Sequence, residues 1–585
     1  MAVGELRATF QSVLRTGAEK FLQLLPRHPP HASRGFWSQA KKGMRKTRLR
    51  TRRSDFKILY LQKTGTCVPK RKVLDLSLPI PLSEGGESLA RRKKENLFGV
   101  IMSKYYPVIG LEIHCQLATK TKMFCGCEIE VNTSPNKHVC PVCLGFPGAM
   151  PVPNKKAVEF AIRLGLALHC EIDLNAMWTR KNYFYPDLPK GYQITQTGGL
   201  PIYDHPICSK GWLEIKRSDG VVRRIGITRI HMEEDAGKLV HDMSPTGSHF
   251  DANRCGTPLC EIVTEPDIRS PEEAVLTFKK IKQILEYTGV SHANMENGNI
   301  RCDGNISIRP SEDAPYGTRA EIKNLNSFTN LEKALTAELL LQTVTLDAGR
   351  EVQQCTKRYD PNADKTIVIR SKEDAPDYKY FPEPDMVRLV TDPSVVEEIR
   401  RTLPELPDAR FARFLQEYKL TEYDAQVLTD EIHVSNWFDS AAKTCKNPKM
   451  LANWVITELL CEVKELEGGF DAVKVRPEQL SALVNLIEDG TINGKIAKQV
   501  FAEMFASGKD PEVIVKEKGL VQITDTGAIE KTVREVVEKN AAQFAEFKAG
   551  KVALKGFFVG QVMKSSGGKA NPKIVNQILD KLAQE

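Results

Sequence analysis

The sequence predicts an α+β protein: a mixed or antiparallel sheet domain, then a helical region, then a small all-helical tail. Three observations carry this. From Tyr106 onward, short runs alternate apolar and polar residues and are separated by Gly, Pro and Asn, the pattern of half-buried strands. Near residue 395 the texture changes to almost pure helix, rich in Glu, Lys, Leu and Ala. From Pro477 to Glu585 the chain reads as several short amphipathic helices, for example through Leu480, Leu483, Val484 and Ile487.

The elements follow in order. Val108 to Leu117 alternates strictly, with Leu111, Ile113, Cys115 and Leu117 facing one way and Glu112, His114 and Gln116 the other. Residues 155–169 place Val158, Ala161, Leu164 and Ala167 along one helical stripe. Ser270-Pro-Glu-Glu273 predicts a capping box with Pro at the first helical position, and the helix ends before Gly289. Ile300 to Arg309 alternates again: Cys302, Gly304, Ile306 and Ile308 lie opposite Arg301, Asp303, Asn305, Ser307 and Arg309. Ala320 and Ile322 oppose Arg319, Glu321 and Lys323 in the same way. The expected divisions are a basic extension over 1–102, a sheet domain over 103–395, a helical region over 396–470 and a helical tail over 471–585.

With 585 residues, the chain is long enough for several domains. Its 41% hydrophobic and 27% charged residues exclude disordered and fibrous classes. No run of 18 apolar residues occurs, so no transmembrane helix is predicted. The net charge of +9 is unevenly placed. Residues 1–101 carry 22 Lys/Arg against 7 Asp/Glu, a net of +15, which leaves the remaining 484 residues at −6. The basic segment reads as an organellar transit peptide, as a nucleic-acid arm, or as an extension upstream of a start at Met102. Cytoplasm of bacterial type is the expected compartment, with a mitochondrial or plastid matrix the alternative if 1–101 is a transit peptide.

Single strands of this kind usually have a solvated polar face. Here three of them carry acids, amides and bases at matching positions, and two further acids stand out: Glu234 in His-Met-Glu-Glu-Asp-Ala-Gly-Lys238, and Glu261 between Leu259, Cys260, Ile262 and Val263. A carboxylate in such apolar company is costly to bury unless paired or metal-bound. Oxygen ligands with one imidazole suit Mg²⁺ or Mn²⁺, and Lys323 with Arg309 suits phosphate. The constellation reads as a metal-phosphate site on a rigid sheet. No P-loop, dinucleotide-binding glycine turn, His-Glu-x-x-His or serine-hydrolase elbow is present.

Cys125-Gly-Cys127 and Cys140-Pro-Val-Cys143, with twelve residues between the pairs, predict a structural zinc site. The other cysteines sit singly, without the density of a secreted disulfide scaffold.

Several long motifs carry a family resemblance: Gly-Leu-Glu-Ile-His-Cys-Gln-Leu117, Arg-Lys-Asn-Tyr-Phe-Tyr-Pro-Asp-Leu-Pro-Lys-Gly-Tyr-Gln-Ile-Thr-Gln196, His-Met-Glu-Glu-Asp-Ala-Gly-Lys238, Glu-Ile-Lys-Asn-Leu-Asn-Ser-Phe328 and Ser-Lys-Glu-Asp-Ala-Pro-Asp-Tyr-Lys-Tyr-Phe-Pro-Glu-Pro-Asp385. Over roughly 104–585 the chain resembles the B subunits of the tRNA-dependent glutamyl/aspartyl amidotransferase. The resemblance implies a catalytic cradle over 103–395, a helical region, and a tail that binds tRNA. It implies ATP-dependent phosphorylation of the side-chain carboxylate of Glu-tRNA(Gln) or Asp-tRNA(Asn), then amidation with ammonia that the A subunit releases from glutamine. A small C subunit is the third partner. ATP and Mg²⁺ are the implied substrate and cofactor, beside a structural Zn²⁺ at the four cysteines, which some members of the family have and others lack.

By motif, the resemblance places catalytic metal ligation at Glu112, His114, Glu234, Glu261 and Asp303. It places nucleotide or phosphate contacts at Glu321, Lys323, Asn324, Asn326 and Ser327, with Arg309 joined to them by the strand pattern. Tyr183, Tyr185, Asp187, Lys190 and Gln193 would shape the substrate cleft. An archaeal version of the protein carries an added domain between body and tail, for which residues 395–480 leave no room. The tail has Lys548, Lys551, Lys555, Lys564, Lys569, Lys573 and Lys581 against Asp580 and Glu585, and Gly560, Gly567 and Gly568 as points of backbone approach to phosphate. Salt-dependent, shape-directed RNA contact is expected. The competing readings are a tRNA-binding scaffold with a degenerate site and a stand-alone ATP-dependent ligase. The intact acids weigh against the first, and the absence of a recognisable ammonia-generating site weighs against the second.

Overall fold

The computed structural model describes residues 104–130, 133–199, 201–241, 247–371, 377–520, 526–567 and 570–584. The basic segment over 1–102, part of the motif ending at Asp385, and Gly568, Lys569 and Glu585 lie outside the described residues.

Among the described residues, nine strands form one sheet. In chain order they are β1 (Tyr106–Gln116), β2 (Glu171–Ile172), β3 (Cys208–Lys216), β4 (Val222–Glu234), β5 (Pro258–Thr264), β6 (Ile300–Arg309), β7 (Ala320–Lys323), β8 (Cys355–Asp360) and β9 (Lys365–Ser371). Their spatial order is β9-β8-β7-β6-β1-β5-β4-β3-β2. All pairings are antiparallel except β7 with β8. The α+β expectation is therefore met, with a mixed sheet.

The three alternating segments occupy the middle of this sheet, and their apolar faces point into one core. Leu111, Ile113 and Cys115 of β1 meet Cys302, Ile306 and Ile308 of β6 and Ile322 of β7 there, all buried. Three helices cover this face: α1 (Lys155–Ala167), α2 (Pro271–Tyr287) and α3 (Phe328–Asp347). Asn154 caps α1, which stops two residues short of the expected 169. Its buried stripe runs through Ala157, Phe160, Ala161 and Leu164, with Val158 only partly covered. Ser270 caps α2 as the sequence predicts, its Oγ accepting from the Glu273 N–H at 3.1 Å. Glu273 completes no reciprocal box. It accepts from the Arg269 N–H at 2.7 Å instead, beside Arg217 and Arg223.

A second core gathers residues from Phe414 to Val515, including Phe438, Leu451, Leu480, Val484 and Val500. The expected division at 470/471 falls inside it, because the helix Pro477–Glu488 packs on Ile432–Ala442. A third, smaller core joins the helices Thr526–Lys539, Ala541–Lys548, Leu554–Ser565 and Pro572–Gln584 through Val533, Phe558, Val575 and Leu579. Among the described residues no helix is long and apolar enough to cross a membrane.

Candidate active site

The polar face of the central strands is built by register. On β1, Glu112 lies opposite Asp303 of β6, and His114 lies opposite Glu261 of β5. On the far side of β5, Glu261 is opposite His231 of β4. Because side chains alternate with period two, these residues all project from one side of the sheet. The apolar flanks of Glu261 pack into the core and hold its carboxylate largely out of bulk water.

The His114 Nε2 is the hub. It lies 3.3 Å from Glu261 Oε2, 3.6 Å from Glu233 Oε1 and 3.8 Å from Glu112 Oε1. Burial opposes a charged His114, and the Glu261 hydrogen bond with the Glu233 and Glu261 charges outweighs it, raising the imidazole above its ordinary value. Burial also opposes an ionised Glu261, yet the flanking imidazoles and Lys181 hold it below the usual carboxylate range. Glu112 has weaker support, from the His114 and Lys323 charges. Burial, with the Glu261 charge, pushes it up to about 7. Fully buried His231 is lowered by burial, which favours the neutral ring.

Two groups in this cluster bring donor atoms close enough to share a cation: Glu112, His114 and Glu261, and His231, Glu233 and Glu261. Three carboxylates with imidazole form a donor set that suits Mg²⁺ or Mn²⁺. The Nδ1 of His114 and both ring nitrogens of His231 are buried without a hydrogen-bond partner, as befits groups arranged for something other than each other.

Glu234 and Asp303 stand apart from these groups. Glu234 has the opposite parity on β4 from Glu233. Its carboxylate pairs with Lys190 and accepts from the Ile194 N–H at 3.1 Å, and its carbonyl accepts from Gln193 Nε2 at 2.8 Å. Asp303 accepts from Lys323 Nζ at 2.9 Å and from the Asn324 N–H at 2.8 Å. Lys323 also reaches Glu321 at 2.8 Å, and these two acids overcome burial to raise the lysine. Asn324 holds a left-handed φ of 60°, a conformation asparagine tolerates, and this aims its N–H at Asp303.

Arg309 does not join this end of the sheet. It lies six residues along β6 from Asp303, about 20 Å at ~3.3 Å per residue, where it stacks on Tyr106 and Tyr316 and donates to the Ala314 carbonyl. Ser327 caps α3 by accepting from the Asn330 N–H, while Asn326 is exposed. The cleft residues lie on the hairpin Thr179–Asn182 and Tyr192–Thr195 and its connection. Tyr183 meets Tyr378 edge to face, the Asp187 carbonyl accepts from the Gly237 N–H, and Tyr185 is exposed beside Phe184.

Sequence reasoning missed His231, Glu233, Lys181 and Arg301. Lys181 is raised despite its burial by the Glu233 and Glu261 charges, and Arg301 by Asp235 and Glu233. The signal was available for two of them, since the parity that pairs His114 with Glu261 carries on to His231 and Glu233.

The four cysteines converge as their spacing predicts. Cys143 Sγ lies 3.5 Å from that of Cys125, 3.7 Å from Cys140 and 3.8 Å from Cys127. These spacings match the edge of ~3.8 Å of a tetrahedron with Zn–S bonds of about 2.3 Å. A Cys125 hydrogen bond, with help from the buried Lys122 ammonium at 3.4 Å, draws the Cys143 thiol down to about 4.

Fold and site together fit one class, an α+β protein with a fixed sheet face whose charged groups suit a divalent cation and phosphate. Residues 107–397 match the GatB/GatE catalytic domain, and 436–582 match the GatB domain. The chain is 52% identical over 487 residues to the aspartyl/glutamyl-tRNA(Asn/Gln) amidotransferase B subunit of Carboxydothermus hydrogenoformans, covering 83% of this chain and 100% of that one. It is 50% identical over 481 residues to the corresponding protein of Brevibacillus brevis, covering 82% and 99%. With that of Geobacter sulfurreducens it shares 52% identity over 480 residues, again 82% and 99%. The chain belongs to the family of B subunits of the aspartyl/glutamyl-tRNA(Asn/Gln) amidotransferase.

Proposed function

We propose that this chain is the ATP-dependent, amide-forming component of a glutamine-dependent ligase, acting on Glu-tRNA(Gln), Asp-tRNA(Asn) or both. The observation that carries the reading is the His114-centred cluster, which joins three carboxylates to imidazole beside Lys181, Lys323 and Arg301. A carboxylate cannot be attacked by ammonia directly, because oxide is its leaving group. Attack of the substrate carboxylate oxygen on the γ-phosphorus of ATP releases ADP and makes an acyl phosphate. Ammonia then adds to the acyl carbon, and inorganic phosphate departs.

Phosphoryl transfer needs positioning and charge neutralisation more than covalent help. Glu112, His114, Glu233 and Glu261 would hold Mg²⁺, which when bound neutralises the phosphate oxygens. Lys323 is held by Asp303 and Glu321 at the edge of this face, where its ammonium stabilises the charge that moves toward the leaving ADP. Lys181 does the same from the hairpin side. The Lys190–Glu234 pair borders the cleft and fixes the hairpin against β4. The four cysteines would hold Zn²⁺ and brace the turns that carry them.

Ammonia comes from glutamine in an A subunit, a small C subunit completes the complex, and the lysine-rich tail contributes to tRNA binding. Relatives of bacterial type support the cytoplasm as the compartment.

The test follows ADP release and the esterified amino acid together, in the chain co-purified with A and C subunits and given ATP, Mg²⁺, glutamine and Glu-tRNA(Gln). Wild type forms ADP and Gln-tRNA(Gln), and Glu261→Gln loses both by at least a hundredfold while retaining tRNA binding. Unchanged amidation in Glu261→Gln overturns the site assignment. Repeating the assay with Asp-tRNA(Asn) defines the substrate range.

A further inference from the structure

The cluster has a symmetry that one metal ion does not use. His114, Glu261 and His231 form a row across three neighbouring strands, with the carboxylate in the middle. The same oxygen, Glu261 Oε2, faces both imidazoles, 3.3 Å from His114 Nε2 and 3.5 Å from His231 Nε2. Glu233 divides its two oxygens between the same two rings: Oε1 lies 3.6 Å from His114 Nε2, and Oε2 lies 3.9 Å from His231 Nε2. Two carboxylates thus each address two imidazoles, the arrangement of bridging ligands between a pair of ions.

The second half of the row is the more demanding. His231 is fully buried, and neither of its ring nitrogens has a hydrogen-bond partner. An ion held by Glu112, His114 and Glu261 leaves His231 Nε2 unanswered. Arg229 approaches Glu261 only on its other oxygen, at 3.9 Å, and so leaves Oε2 to the imidazoles.

We propose that this face binds two divalent cations, one held by Glu112, His114 and Glu261 and a second held by His231, Glu233 and Glu261. Glu261 is common to both sets, and two-metal phosphoryl-transfer sites hold their ions about 3.5–4 Å apart. The donor set suits Mg²⁺ or Mn²⁺. The inference rests on the metal-phosphate reading of the site and extends it: one ion would serve the phosphate under attack and the other the departing oxygen.

Manganese is the probe. The full chain, purified with its A and C partners, zinc-replete and freed of other divalent ions, is titrated with Mn²⁺ in the presence of ADP, and bound ions are counted by electron paramagnetic resonance. Two tightly bound Mn²⁺ per chain with a spin-coupled spectrum are expected. His231→Gln should bind one, with the six-line spectrum of an isolated ion, and Glu112→Gln should lose the other. One uncoupled Mn²⁺ in the wild type overturns the second site and leaves the metal-phosphate reading standing. No bound Mn²⁺ overturns both. If a variant does not fold, coupled or isolated spins in the wild type decide the question alone.

Discussion

A single methyl group tests how closely α1 rests on the sheet. A Cβ built on Gly165 would stand 2.3 Å from Cys208 Sγ and 3.0 Å from Ile172 Cδ1, both held in the main core. Replacing a helical glycine by alanine ordinarily stabilises by roughly 0.5–1 kcal/mol. Here overpacking should reverse the sign, so that Gly165→Ala destabilises by about 1–3 kcal/mol and Gly165→Ala with Cys208→Ala recovers part of the loss. Urea unfolding of the three proteins checks this. At the residue scale, Glu112, His114 and Glu261 come together as the unbroken alternation of their strands predicts. On β4 the sequence reading takes Glu234, whereas the carboxylate in the cluster is that of Glu233. There the pair Glu233-Glu234 offers two identical carboxylates, and only the parity counted from His231 separates the one in the cluster from the one paired with Lys190. Ser327 caps α3 and Arg309 lies farther along β6, because cap geometry and distance along a strand are invisible to a motif.

Among the elements, α3 is tied to the sheet by more than apolar contact. The fully buried Glu338 carboxylate accepts both of its 2.8 Å hydrogen bonds from Lys357 of β8, with Thr366 at 2.6 Å and Gln342 at 3.1 Å completing its shell. Lys357→Met would strand that charge and should cost about 3–5 kcal/mol, whereas the double change Lys357→Met, Glu338→Leu should regain most of it. Thermal unfolding with a double-mutant comparison measures both. The long elements were legible in the sequence because periodicity and caps agree: Ser270 before α2 and the alternation of β1 and β6 needed no structure to find. Sheet order was not. β7 and β8 are joined in parallel through the whole of α3, and the two-residue edge strand β2 carries no pattern at all. Such long-range pairings are decided by packing, which a local period does not encode.

For the whole molecule, the charge division matters more than its sum. The described tail lysines are only partly committed: Lys551 pairs with Glu546 and Lys555 with Asp580, while Lys548 lies near the Phe544 ring. Gly560 is locked inside the helix Leu554–Ser565, so its backbone is not available to phosphate as the sequence suggested. Gly567, just past that helix, turns with a φ of 60°. Replacing Lys564 and Lys573 together by glutamine should weaken tRNA binding severalfold at low salt and flatten its salt dependence by about two charges' worth. Filter binding across a salt series reads the slope directly.

The position of β1 has a consequence for how this protein is made. It is the earliest of the nine strands to be synthesised and stands between two that come much later. At roughly 5–20 residues per second, the ribosome takes about 7–28 s after finishing β1 to reach β5, and about 10–40 s to reach β6. Until β5 is made the nascent chain carries a strand with one apolar face and both hydrogen-bonding edges open, and one edge stays open until β6 follows. The Glu112–Asp303 pairing across β1 waits for β6, so a chain released before residue 300 holds Glu112, His114, His231, Glu233 and Glu261 on a sheet in which one edge of β1 is still open. A strand left half-paired is a template for mispairing, and the sheet domain carries that exposure through most of its translation.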